Sequence, residues 1–262
     1  MSDRKLNRFS PSMLIEYMNC PRSFYFKHIA GIQLPQKQIH LLFGGGVHAA
    51  IEKGIYEDDD PYRIFEKHFL KEKLTEEERD LHEEYLLLGK EMIKNYAEIH
   101  PTLNSLYSLN TGKSELVIKG TIINPLTYEP SSLPLSGRID RITDSQRIVE
   151  YKTSKNKWSE KDLNYKIQTM IYNLWFFTQY KELPEETIYI ILLKKFKNKT
   201  RSGEVHQVLS QNCSLIDLAS TFEEIECILH KINNNEFDRP KGYHPRYCDC
   251  FKYDEFLNLN EE

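Results

Sequence analysis

With 262 residues, 40% of them hydrophobic and 28% charged, the chain can bury a sizeable core and has the balance of a globular domain, not of a disordered or fibrous one. A formal charge of −4 counts mildly against nucleic-acid binding, so any such binding has to rest on local basic patches. No apolar run reaches the ~18 residues that a membrane span needs, and the amino-terminal MSDRKLNRFS has no signal-peptide core. A cytoplasmic protein is expected, in which Cys20, Cys213, Cys227, Cys248 and Cys250 form no disulfide framework.

Ser10 and Pro11 read as the cap and first position of a helix carrying Met13, Leu14, Tyr17 and Met18. Pro21 restarts the pattern, which runs to Gly31. After a polar loop, Leu41 to Gly46 lead into a second helix from about Val47 to Tyr56, ended by the acidic run Glu57 to Asp60. Pro61 to about His100 reads as charged helix. Residues 57–105 are therefore expected to be a helical insertion with a solvated face.

From Glu115 the period changes to two. Strands are expected around Leu116 to Ile122, Leu135 to Thr143 and Arg147 to Thr153, with a loop from Pro125 to Pro134. An amphipathic helix follows from Lys161 to Tyr180. Strands at Thr187 to Phe196 and Glu204 to Leu209 come next, then a helix from Leu215 to Asn233 and an irregular tail over 237–262. This order predicts a single α/β domain, with a sheet flanked by helices.

The chemistry concentrates between Leu135 and Thr153. Thr143 to Gln146 is a turn cluster, and a hairpin centred near Ser145 sets Asp140 opposite Glu150. Glu150 and Lys152, two apart, share a face, while Val149 and Tyr151 point to the core. Two facing carboxylates repel unless a cation lies between them. A hard divalent ion with a neighbouring ammonium suits phosphoryl chemistry. The same residues could also make an exposed hairpin with a cross-strand Glu–Lys pair.

Gly137-Arg138-Ile139-Asp140 followed by Glu150-Tyr151-Lys152, with Gln168-Thr-Met-Ile-Tyr172 on the next helix, resembles the RecB-like branch of the PD-(D/E)XK nuclease superfamily. Phe43-Gly-Gly-Gly-Val-His48 resembles that branch's upstream histidine. Ser10-Pro-Ser-Met-Leu with Cys20-Pro-Arg-Ser-Phe resembles the amino-terminal signature of its iron–sulfur exonucleases, such as the CRISPR-associated adaptation exonuclease and the AddB-type nucleases. The resemblance spans about residues 9 to 256.

It implies a restriction-endonuclease-like mixed sheet flanked by helices and a Mg2+- or Mn2+-dependent DNA exonuclease acting on single-stranded or frayed ends. Asp140, Glu150, the Tyr151 carbonyl and His48 would hold metal. Lys152 would serve the attacking water, and Gln168 and Tyr172 would orient the site. The three glycines before His48 also read as a phosphate-cradling helix start, though without a P-loop ending. Glu115 reads as a further site acid or as an exposed strand residue.

The cysteine set departs from the pattern. Those nucleases hold a [4Fe–4S] cluster with four cysteines, whereas here Cys20 and Cys250 fit, Cys248 stands one residue from the expected position, and Phe256 stands where the last would be. Loss of the cluster, a cluster with a non-cysteine ligand, or Zn2+ held by these three cysteines and His244 all stay open. DNA is expected to meet Arg138, Arg141, Lys155, Lys157, Lys161 and the basic run Lys194, Lys195 and Lys197. The alternative is a catalytically silent DNA-binding subunit of a DNA-processing complex.

Overall fold

In a computed structural model the described residues are 5–34, 38–159, 166–196, 203–239 and 248–259. Helix α1 (Pro11–Asn19) starts as its sequence dictates: the Ser10 hydroxyl accepts from the Met13 N–H at 3.2 Å, and Pro11 fills the first turn. Cys20 ends α1 and caps α2 (Pro21–Phe24), which continues as a π-helical turn over Tyr25–Ile29.

Helix α3 (Ile39–Ala49) begins eight residues before the expected start at Val47. Its first turn is capped from far along the chain. The buried carboxylate of Glu78, in α5 (Glu76–Arg79), accepts from the Gln38 and Ile39 N–H groups at 3.2 and 3.1 Å. Gly44 to Gly46 therefore lie inside the helix, which rules out the phosphate-cradle reading, since interior N–H groups are used by the helix itself. Of the three, Gly46 serves close approach instead: a Cβ there would stand 2.9 Å from the Phe65 ring. The helix goes on in π-helical geometry over Ala50–Tyr56.

Helices α4 (Pro61–His68) and α6 (His82–Tyr107) follow, the latter running through Pro101 beyond the expected end at His100. Among the described residues the sheet has five strands in sequence order: β1 (Lys113–Gly120), β2 (Leu135–Ile142), β3 (Ile148–Ser154), β4 (Thr187–Leu193) and β5 (His206–Gln211). Only β3 and β4 pair in parallel. The crossover this demands is made by α7 (Lys166–Tyr180). Helix α8 is Leu215–Asn233, and α9 (Cys250–Leu259) puts a helix where an irregular tail was expected.

The sheet separates two cores. On one face Ile118, Ile139 and Ile148 pack with Leu14, Tyr172, Phe176 and Phe222 from α1, α7 and α8. On the other, Val149, Tyr151, Ile188 and Ile190 pack with Phe43, Phe65, Met92 and Tyr96. The segment 57–105, expected as an insertion, thus supplies much of the second core as well as a charged outer surface. Strand β4 is buried along its whole length, as its continuous apolar run Ile188 to Leu193 requires. Among the described residues no helix is long and apolar enough to cross a membrane.

Candidate active site

The hairpin pairs in the register read from the turn: Arg141 faces Val149 and Ile142 faces Ile148, so the next pair out is Asp140 and Glu150. The ladder stops just before that pair. On the other side of β2 it is interrupted too, because Glu115, opposite Asp140, adopts a left-handed φ of 48° between the pairs Ser114–Arg141 and Leu116–Ile139. Alternation also breaks: Ile139 and Ile142, three apart, both pack in the first core. A non-glycine residue in this conformation is costly. Asp140 fills the opening, its Oδ2 accepting from the Tyr151 N–H at 2.8 Å.

Around this break the structure gathers His48, Asp140, Glu150, Lys152, Gln168 and Tyr172. His48, in the last turn of α3, brings Nδ1 to 3.6 Å from Asp140 Oδ2. Glu150 Oε1 receives Lys152 Nζ at 2.5 Å and Gln168 Nε2 at 2.9 Å. Gln168 Oε1 accepts from the same ammonium at 3.2 Å. Its amide also donates to Tyr172 Oη, and that hydroxyl donates to the Arg138 carbonyl at 2.7 Å. The four-residue spacing on α7 thus lets one helix face brace the carboxylate, the amine and the backbone of β2.

Burial dominates the electrostatics. It raises Glu150 to about 7, helped by the charge of Asp140 and opposed by Lys152. It raises Asp140 to about 6, against the pull of Lys152 and the Tyr151 N–H. Burial lowers His48 and so favours the neutral imidazole, the form that ligates metal. Glu150 Oε2 is buried with no hydrogen-bond partner among the described residues. His48, Glu115 and Asp140 offer ligand atoms within 4.8 Å of one another. A buried acceptor without a donor, two carboxyls whose pKa values burial raises, and a neutral imidazole are a donor set that fits a divalent cation.

Glu115 is the residue that sequence reasoning undervalued. It is half-buried at the site, with Arg138 Nη1 at 2.8 Å. Its strand pattern gave no sign of the positive φ that turns it inward. Glu52, one helical turn after His48, was missed altogether. It lines the same cleft of about 680 Å3 with His48, Glu115, Arg138 and Asp140, and burial together with Glu115 raises its carboxyl.

Behind the site lies a hydroxyl cluster. Tyr56 Oη stands 2.5 Å from Tyr151 Oη and 2.7 Å from Tyr96 Oη, and His100 Nδ1 is 3.2 Å from Tyr96 Oη. This cluster corrects the expectation for Arg141. That residue is buried, its guanidinium lies 3.9 Å from the Tyr56 ring centre, and it bonds Ser114 Oγ and the Thr111 carbonyl, so it cannot meet DNA.

The remaining basic residues divide. Arg138 is exposed beside the site, and Lys155 is exposed after β3. Lys157 pairs with Glu204 at 2.7 Å. Lys194 and Lys195 are half-buried, Lys194 lying 5.0 Å from the Phe43 ring centre. Lys161, Lys197 and His244 lie outside the described residues.

The comparisons with known proteins bear on the whole chain. A family model described as the PD-(D/E)XK nuclease superfamily matches residues 8–252. No curated protein matches the sequence. The crystal structure of a candidate exonuclease from Eubacterium rectale superposes with a TM-score of 0.57 at 11% identity, covering 94% of this chain and 88% of that one. That likeness speaks for the fold alone. The structure of SSO0001 aligns with a TM-score of 0.35 at 13% identity over 84% of this chain and 76% of its own, too loosely to carry an argument. The mixed sheet between two helical layers is the restriction-endonuclease-like α/β arrangement. By the family model and by this architecture, the chain belongs to the PD-(D/E)XK nuclease superfamily.

Proposed function

We propose that the chain is a DNA exonuclease of the RecB-like branch that requires Mg2+ or Mn2+ and hydrolyses phosphodiester bonds at single-stranded or frayed ends. The observation that carries the reading is the Glu150 carboxylate, buried beside Asp140 with one oxygen bonded to Lys152 and Gln168 and the other without a partner among the described residues. Asp140, Glu150, the Tyr151 carbonyl and His48 are the residues to hold the ion, and Glu115 is placed to join them. The imidazole favours Mn2+ over Mg2+. When bound, the cation lowers the pKa of a coordinated water and offsets charge on a phosphate oxygen.

The protein residues do the rest. Glu150 and Gln168 hold the Lys152 ammonium at a fixed point, where it orients the attacking water and neutralises developing charge. Tyr172 and Gln168 keep α7 and β2 in register, so that the amine and both carboxylates stay together. Arg138, exposed on the rim, meets a substrate phosphate. The Eubacterium rectale protein's description as an exonuclease accords with the preference for ends.

The test is digestion of end-labelled linear and of circular single-stranded DNA with Mg2+, Mn2+ or EDTA. Metal-dependent loss of the linear substrate with the circle intact is expected. Cleavage of the circle would make the enzyme an endonuclease, and no cleavage of either would favour a silent DNA-binding subunit.

A further inference from the structure

Cys20, Cys248 and Cys250 come from opposite ends of the chain and meet in a small buried cluster, apart from both main cores, with Phe251 packed against it. We infer that these three thiols form a site for a single soft cation, Zn2+ foremost, and not for the iron–sulfur cluster that the family resemblance implies. Four thiolates normally hold such a cluster. The sequence has five cysteines, and the other two stand elsewhere: Cys213 against the first core and Cys227 exposed on α8.

Spacing makes the same distinction. In a cluster each thiolate binds its own iron, so the sulfurs ring a core of several atoms. Here the three Sγ atoms lie within 4.8 Å of one another, with Cys248 and Cys250 at 2.8 Å. One tetrahedral ion with metal–sulfur bonds of ~2.3 Å spaces its sulfurs by ~3.8 Å, which falls within that range. A disulfide could use only two of the three, and all three are free thiols.

The local structure aims the sulfurs inward. The Ser23 N–H donates to Cys20 Sγ at 3.4 Å, which fixes that side chain at the start of α2. Cys250 opens α9, and the Cys-Asp-Cys spacing turns Cys248 to the same point. Apart from this cluster, α9 is tied to α2 and its π-helical turn by Phe26 stacked on Tyr253 at 5.1 Å and by Arg22 near Asp254. An ion here would therefore fasten the chain ends together.

Cys20 and Cys248 also wall a cleft of about 690 Å3 that reaches Gln168 and Tyr172, so water is at hand as a fourth donor. Each thiol loses its proton to solvent as the metal binds.

The test is metal and acid-labile sulfide analysis of the full-length protein purified under reducing conditions. About one zinc per chain and no sulfide are expected for the wild type, as for a site of one tetrahedral ion. Glu150→Gln should keep that zinc and Cys250→Ser should lose it, which separates this site from the nuclease centre. Should Cys250→Ser fail to fold, the zinc-stripped wild type is titrated with Co2+. Thiolate-to-cobalt charge-transfer absorption saturating near one equivalent, as a single-ion site demands, and abolished by Zn2+ is the expected result. Stoichiometric iron with sulfide overturns the assignment. So do three titratable thiols with neither zinc nor a cobalt spectrum.

Discussion

Replacing Glu150 by glutamine should stabilise the metal-free protein at pH 8. The carboxyl is 2% exposed and its pKa is raised from 4.5 to about 7. A carboxyl that holds its proton more tightly when folded than when unfolded opposes folding once both states are ionised. The penalty is absent below the unfolded value near 4.5, grows as pH rises, and is complete above 7. A rise of this size corresponds to roughly 3 kcal/mol at ~1.4 kcal/mol per pKa unit. The neutral amide escapes that cost while keeping the shape.

In EDTA at pH 8, Glu150→Gln should therefore melt above the wild type, by roughly 6–12 °C at ~2–4 °C per kcal/mol for a chain of this size. At pH 5, just above the unfolded value, the gap should shrink to roughly a quarter of that. Mn2+ at a thousand times its Kd should reverse the order, since it adds ~4.1 kcal/mol to the protein that binds it. Thermal melts at the two pH values, with and without Mn2+, read this directly. A variant less stable than the wild type in EDTA at pH 8, or a gap independent of pH, would refute the reasoning.

Lys152→Ala should lower kcat by ~10²–10⁴, the usual worth of a positioned proton-transfer group, while calorimetric Mn2+ binding persists. Loss of Mn2+ binding in step with activity would instead make the amine part of the metal site's scaffold. Tyr96→Phe removes the hydroxyl shared by Tyr56, Tyr151 and His100 and should cost ~1–3 kcal/mol in urea unfolding, because buried polar groups lose a partner. Gly89→Ala tests the packing of α4 on α6. Alanine normally gains ~1 kcal/mol in a helix interior, but here its Cβ would overlap the buried Phe65 ring, and overpacking costs ~1–3 kcal/mol. A net loss of stability is expected, and a gain would contradict that contact.

Much of the site was legible because its rules are local. Thr143 to Gln146 fixed the turn, and the turn fixed which residues of β2 and β3 face each other. The spacing of Gln168 and Tyr172 put both on one face of α7, where they now bridge Glu150 and Arg138. What escaped depends on contacts across the chain. The early start of α3 is set by Glu78, some forty residues away, which is why the glycines looked like a helix beginning when they are a helix interior.

Glu115 turns inward through a left-handed backbone that its β-like neighbours do not announce. Arg141 had the charge for DNA contact, but Tyr56 and Thr111 claim it, and only the tertiary fold brings them to it. Helix α9 packs where Cys248 and Cys250 meet Cys20 and Tyr253 meets Phe26, partners more than two hundred residues away in the sequence.

The central proposal is that a buried acidic pair and an amine cut DNA with the help of a divalent ion. The most direct measurement is a time course of nucleotide release from end-labelled single-stranded DNA in Mn2+, for the wild type and for folded Asp140→Asn. Release by the wild type that EDTA abolishes, and none from the variant, is the predicted result. Equal release by both proteins would contradict it.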